Sequence, residues 1–277
     1  LGIAIAGIVP HPPIIIPKIG RGELKRVHLT VESLKSFSSQ VAASAVETVI
    51  IITPHGAVFS DAPTILADEK LRGDFGKFRA PDVEVAAPND LELVRAIEKS
   101  AAEEGIDVVL LGDKGLPATD TSLDHGAAVP LYYLQQAGVE ARCVSINYAM
   151  LPYRELFRFG EAVHSAVHAT GRKVAVLASG DLSHRLTKDA PAGYSPRGVE
   201  FDEKLVACVR DYRVQEILEM DEALVTAAGE CGMRSFAILL GCLSGLNVKP
   251  EVLSYEGPFG VGYMVAQFIP RESGEVS

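Results

Sequence analysis

Short apolar runs rich in β-branched residues alternate along this chain with stretches whose apolar residues fall at helical spacing. Gly2–Val9 (GIAIAGIV) and Thr48–Thr53 (TVIIIT) are continuous apolar runs, which suits strands buried on both faces. Further strands are expected at Asp107–Leu111, Arg142–Ile146 and Lys173–Ala178. Between them, residues 23–46 space Leu24, Val27, Val31, Leu34, Phe37 and Val41 as the apolar stripe of an amphipathic helix. Helices are also expected at Asp90–Glu104, capped by Asn89, at Ala128–Ala137 and at Tyr153–Ala169. Residues 54–88 read as loop with weak strands. The chain beyond Arg197 reads as helical to about Leu246, followed by two strands that can pair antiparallel. Strands alternating with helices predict an α/β fold, with a central mixed, largely parallel sheet flanked by helices.

At 277 residues the chain can bury about three quarters of its unfolded surface without staples. No repeat or linker divides it, so one domain is expected over 1–270, with a helical insertion near 200–228 and a tail over 271–277. The net charge of -10 repels phosphate backbones and argues against nucleic acid. The first apolar run stops at Pro10, too short to span a bilayer, and lacks the basic flank of a signal peptide. Cys143, Cys208, Cys231 and Cys242 form no CxxC pair and read as thiols of a cytoplasmic protein.

Seven histidines are unevenly placed. His28, His164 and His168 sit among polar residues of expected helices and read as surface groups. His11, His55, His125 and His184 share another context: each follows an apolar strand or lies on the loop beyond it. In open α/β sheets that edge gathers the ligand-binding loops. Pro10, Pro12, Pro54, Gly56 and Gly126 restrict or free the backbone beside these imidazoles. Imidazole suits iron, zinc and copper, and two histidines with one carboxylate leave open positions on Fe(II). Glu230, in AAGECGMRSF, is the candidate carboxylate, although an acid before a helix also has a plain electrostatic explanation. Its neighbour Cys231 is the alternative third ligand.

These segments carry a family resemblance. PHPP at 10–13, TPHG at 53–56, LDHGAAVPL at 123–131, SGDLSHRL at 179–186, GECGMRSFAILLG at 229–241 and YEGPFGVGYM at 255–264 resemble, in order, the class III (LigB-type) extradiol dioxygenases and their Memo-type relatives. The resemblance implies Fe(II) held by His11, His55 and Glu230, with zinc or no metal in the protein as isolated. It implies His184 as acid/base and His125 as a contact to the substrate's oxygens. Catabolic members place Glu in the 230 segment and Memo-type members Cys-Gly; this chain has both, as Glu230-Cys231-Gly232.

The implied reaction is ring opening of a catechol-type aromatic by O₂. His184 takes and returns a proton near its ordinary pKa of about 6.5, and His125 donates to a developing oxyanion. A Memo-type metal-binding or redox protein without dioxygenase activity is the first alternative, and a metallohydrolase on the same histidines the second. A Ser183/His184 hydrolase is disfavoured because the GxSxG elbow is missing. The loops Thr187–Arg197 and Phe59–Pro88 start beside His184 and His55, so at least one is expected to wall the cavity, with Tyr194 contacting substrate. A homo-oligomer is expected.

Overall fold

The computed structural model describes residues 2–117 and 120–271. Ten strands are placed among them: β1 Gly2–Val9, β2 Thr48–Thr53, β3 Thr64–Leu66, β4 Lys70–Phe75, β5 Ala80–Pro88, β6 Val109–Leu111, β7 Arg142–Asn147, β8 Lys173–Ser179, β9 Val248–Glu256 and β10 Tyr263–Pro270. The helices are α1 Pro17–Gly20, α2 His28–Ala43, α3 Leu91–Glu103, α4 His125–Gln136, α5 Tyr153–Thr170, α6 Pro196–Arg210, α7 Val214–Leu218, α8 Glu222–Ala228 and α9 Met233–Cys242.

Eight strands form one sheet in the order β6-β3-β7-β2-β8-β1-β10-β9. β7, β2, β8 and β1 are parallel neighbours, so their carboxyl ends open onto one edge. β10 runs antiparallel to β1, β9 antiparallel to β10, and β3 antiparallel to β7. The sheet is therefore mixed and largely parallel at its centre, as the alternation predicts.

All six residues of β2 are buried, because helices cover both faces. One apolar core joins the sheet to α3, α5, α9 and α6–α8; the other joins it to α2, α4 and the β4–β5 hairpin. Each fully buried Ile of the TVIIIT run contributes about 1.5–3 kcal/mol. α5 crosses α9 where Gly160 and Gly241 meet: a Cβ at Gly160 would stand 2.1 Å from the Ile238 carbonyl oxygen.

Several local expectations are corrected. The cap of α3 is Asp90, whose carboxylate accepts from Leu93 N at 3.2 Å; Asn89 instead donates to the carbonyls of Leu66 and Asp68. In 54–88, read as loop with weak strands, the strands are β3 and a full β4–β5 hairpin, whose KLRGDF strand alternates exposed and buried residues. The expected helix 23–46 begins as a 3-10 turn over Arg21–Val27. α4 starts three residues early, at His125. His164 is half-buried and its Nδ1 bonds the Cys242 carbonyl at 2.7 Å. Within the expected tail, Arg271 bonds back to Asn247, and 272–277 lie outside the described residues. Among the described residues no helix is long and apolar enough to cross a membrane.

Candidate metal centre

The parallel strands β1, β2 and β8 lead His11, His55 and His184 to one edge, whereas β6 runs antiparallel to them through β3, so the expectation that His125 follows a strand onto the same edge is corrected. His11 follows β1 by two residues and His55 follows β2 by two, while His125 opens α4. His11 Nε2 and His55 Nε2 lie 2.9 Å apart. The His125 ring stacks on that of His55, with centroids 4.3 Å apart and planes 17° from parallel. Cys231 Sγ comes to 3.7 Å from His11 Nε2. His11, His55 and Cys231 are the ligand-bearing residues that converge on one point among the described residues, their donor atoms all within 4.8 Å of one another.

Glu230 is not one of them. Its carboxylate accepts from the Met233 backbone N at 2.6 Å, at the start of α9, where free N–H groups and the helix dipole favour an anion. Burial pushes its carboxyl up to about 7, against the pull of Met233 N and Arg234. The first-choice third ligand thus turns to the helix, and the alternative, Cys231, turns to the imidazoles. The Asp181 backbone holds that thiol in place: Asp181 N donates to Sγ at 3.3 Å and Asp181 O accepts from Cys231 N at 3.3 Å. The Asp181 carboxylate takes the His11 backbone N at 3.0 Å, joining the ends of two ligand loops.

The donor set fits a metal ion in its protonation states. Ser179 Oγ carries one proton and donates it to the Gly126 carbonyl at 2.5 Å. It can therefore only accept from His11 Nδ1, 2.8 Å away. That puts the His11 proton on Nδ1 and leaves the Nε2 lone pair facing His55 and Cys231, the arrangement of a metal-ligating histidine. Burial, then the charges of His55, His125 and His184, hold His11 well below the usual histidine range, so it stays neutral. Burial also lowers His55 and takes His125 down to about 4. Burial raises the Cys231 thiol well above its ordinary value, with Asp181 adding to the effect; a cation beside the sulfur reverses that balance, because a coordinating thiol is deprotonated.

Asp124 ties two of the histidines together. Its Oδ1 accepts from Thr53 Oγ1 at 2.6 Å, from the end of the strand that leads to His55, and from Gly126 N at 2.7 Å, in the first turn of α4. A cavity of about 990 Å³ opens beside the cluster, lined by His55, His125, Asn147, Phe59, Lys77 and Phe78. Phe59 and the β4–β5 hairpin supply one wall, so the Phe59–Pro88 segment borders the cavity as expected. Tyr194, the expected substrate contact, is 55% exposed and is not among the residues that line this cavity. His184 is half-buried, close enough for its charge to depress His11 and His55. Ser183 beside it is fully buried and donates its hydroxyl to the Ala228 carbonyl at 3.0 Å, so it offers no nucleophile.

The sequence reading missed Ser179, Asp181 and Asp124. Each lies within a quoted motif or one residue from a ligand loop, and each is polar in an apolar setting, the signal that could have found them. A family profile described as the catalytic LigB subunit of aromatic ring-opening dioxygenase matches residues 6–266. The chain belongs to the LigB family. Its relatives include Protein CA_C1420 of Clostridium acetobutylicum, 43% identical over 260 residues, covering 93% of this chain and 56% of that protein. This LigB chain therefore spans a little over half the length of that relative. A 3,4-dihydroxyphenylacetate 2,3-dioxygenase of Escherichia coli is 26% identical over 230 residues, 77% of this chain and 79% of that one. The crystal structure of uncharacterized protein JW3007 from Escherichia coli K12 shares the LigB fold at a TM-score of 0.67 and 16% identity, over 95% of this chain and 99% of that one.

Proposed function

We propose that this LigB chain is a redox metalloprotein of Memo type, which holds a transition metal through His11, His55 and the Cys231 thiolate. One observation carries the reading: the sulfur of Cys231 faces the paired imidazoles, while the carboxylate of Glu230 is spent on α9. Two imidazoles and a thiolate suit iron or copper better than a hard cation. When bound, such an ion supplies one-electron chemistry and a Lewis-acid site. The protein's share is to present one lone pair from His11, shield the thiol, and leave the His55 and His125 side open to a ligand.

Ring opening of a catechol by O₂ with Fe(II) is the second reading. The cavity beside the cluster, the stacked His125 and the family's dioxygenase relative favour it. His125 would then donate to a substrate oxygen and His184 would carry the proton.

Anaerobically purified protein titrated with Fe(II) tests the first reading. Cys231→Ala is expected to lose iron and Glu230→Gln to keep it; the reverse result overturns the proposal and restores the carboxylate centre. Oxygen uptake on a catechol panel that includes 3,4-dihydroxyphenylacetate then decides between the two readings. Uptake matched by ring-opened product establishes the second, and reversible oxidation and reduction of the bound ion by added ferricyanide and ascorbate, with no ring-opened product from any catechol, supports the first.

A further inference from the structure

We infer that Pro130 is a positioning residue of the metal centre, acting through Gly126 and Ser179 to fix the tautomer of His11. The inference rests on the metal-binding reading above. Pro130 lies inside α4, five residues from its first residue. In an α-helix the carbonyl of Gly126 would accept from the N–H of residue 130. Proline has no N–H, so that carbonyl is left without its helical donor. A buried carbonyl without a partner costs about 1–3 kcal/mol. Here the donor is Ser179 Oγ, at the end of β8, 2.5 Å away.

The consequence passes to the next bond. Once its proton is committed to Gly126, the Ser179 hydroxyl can only accept from His11 Nδ1 at 2.8 Å. His11 then keeps its proton on Nδ1, and Nε2 keeps the lone pair that faces His55 Nε2 and Cys231 Sγ. The order Pro130, Gly126, Ser179, His11 joins a helix, a strand and a ligand loop that are far apart in the chain. Every member but the partly enclosed cluster itself is buried: Pro130 and Gly126 within α4, Ser179 at 0% and His11 at 2% exposure. Water therefore does not stand in for a missing link.

If residue 130 carries an N–H, the Gly126 carbonyl is shared between the helix and Ser179. The Ser179 proton is then free to turn toward His11 Nδ1. That moves the histidine's own proton to Nε2, where it blocks the lone pair. Partners of this kind typically change metal affinity by about 10–100-fold.

The experiment uses the full chain, in wild-type form and as Pro130→Ala and Ser179→Ala. The His11 tautomer is read from ¹⁵N shifts in the metal-free protein, and Fe(II) affinity from anaerobic competition with a chromophoric chelator. Wild type is expected to show the Nδ1–H form. Ser179→Ala is expected to mix the tautomers and bind iron about 10–100-fold more weakly. Pro130→Ala is expected to shift both readouts the same way by a smaller amount, with an unchanged or raised melting temperature, since alanine suits a helix interior. Unchanged tautomer and affinity in both variants overturn the inference, as does a wild-type Nε2–H form. Should wild type bind no iron while the variants still shift the tautomer, the relay stands and the metal reading falls.

Discussion

Asp202 offers a test of the electrostatics that can be carried through in numbers. Its carboxylate, on α6, is fully buried. Oδ1 accepts from Ser183 N at 2.8 Å and Oδ2 from the Tyr255 hydroxyl at 2.6 Å. Burial pushes the carboxyl up from 3.8 to about 6, although Tyr255 and Ser183 pull the other way. A carboxyl raised on folding binds its proton more tightly in the native than in the unfolded chain. Its charged form therefore costs stability as pH rises through the window from about 4 to 6, and no further above it. A displacement of that size corresponds to about 3 kcal/mol between the two ends of the window. Asp202→Asn keeps the shape and removes the titration. The Asn variant is expected to gain on wild type by up to about 3 kcal/mol between pH 4 and pH 7, most of it below pH 6. Urea unfolding of both proteins at four pH values, compared as a difference, isolates this carboxyl from the others. A difference that stays flat across the window, or that falls as pH rises, refutes the reasoning.

Three further outcomes follow from the packing and the site. Gly160→Ala forces a methyl group against the Ile238 carbonyl across the α5–α9 crossing and is expected to cost about 1–3 kcal/mol in the same urea assay; an unchanged midpoint would show that the helices can part freely. His11→Ala is expected to lose bound iron. His184→Ala should keep it and, in any preparation that turns over a catechol, slow the reaction by about 10²–10⁴-fold in stopped-flow oxygen uptake.

The strands of the central sheet are legible in the chain because they are buried on both faces and so have no polar interruptions. β1 and TVIIIT need only continuous apolar runs to announce themselves. The β4–β5 hairpin hides for the opposite reason: one face is solvated, so Lys70, Arg72 and Asp74 make the strand read as loop. The cap of α3 misreads by one residue because Asn89 and Asp90 are both good caps, and the carbonyls of Leu66 and Asp68 claim the amide. At the site, His11, His55 and His184 are visible from their place after strands, since parallel pairing of β1, β2 and β8 gives them one shared edge, whereas β6 runs antiparallel to these strands through β3 and His125 reaches the cluster as the first residue of α4. The third converging donor is not visible, because Glu230 and Cys231 are adjacent and the backbone turn into α9 decides which faces the imidazoles. Ser179 and Pro130 carry no chemistry of their own in a linear reading. Their meaning arises only when β8 and α4 are side by side.

The three converging donors come from positions 11, 55 and 231, so the centre closes almost the whole length of the chain upon itself. A nascent polypeptide that has made both histidine loops still lacks the sulfur until the segment before α9 has emerged and docked. On the metal-binding reading proposed above, metal capture would follow the docking of the segment before α9. An ion present at 100 times its dissociation constant would add about 2.7 kcal/mol to the closed state alone. Truncation between β8 and the Cys231 segment would leave six of the eight sheet strands in the sequence and, on the metal-binding reading, no sulfur to complete the centre.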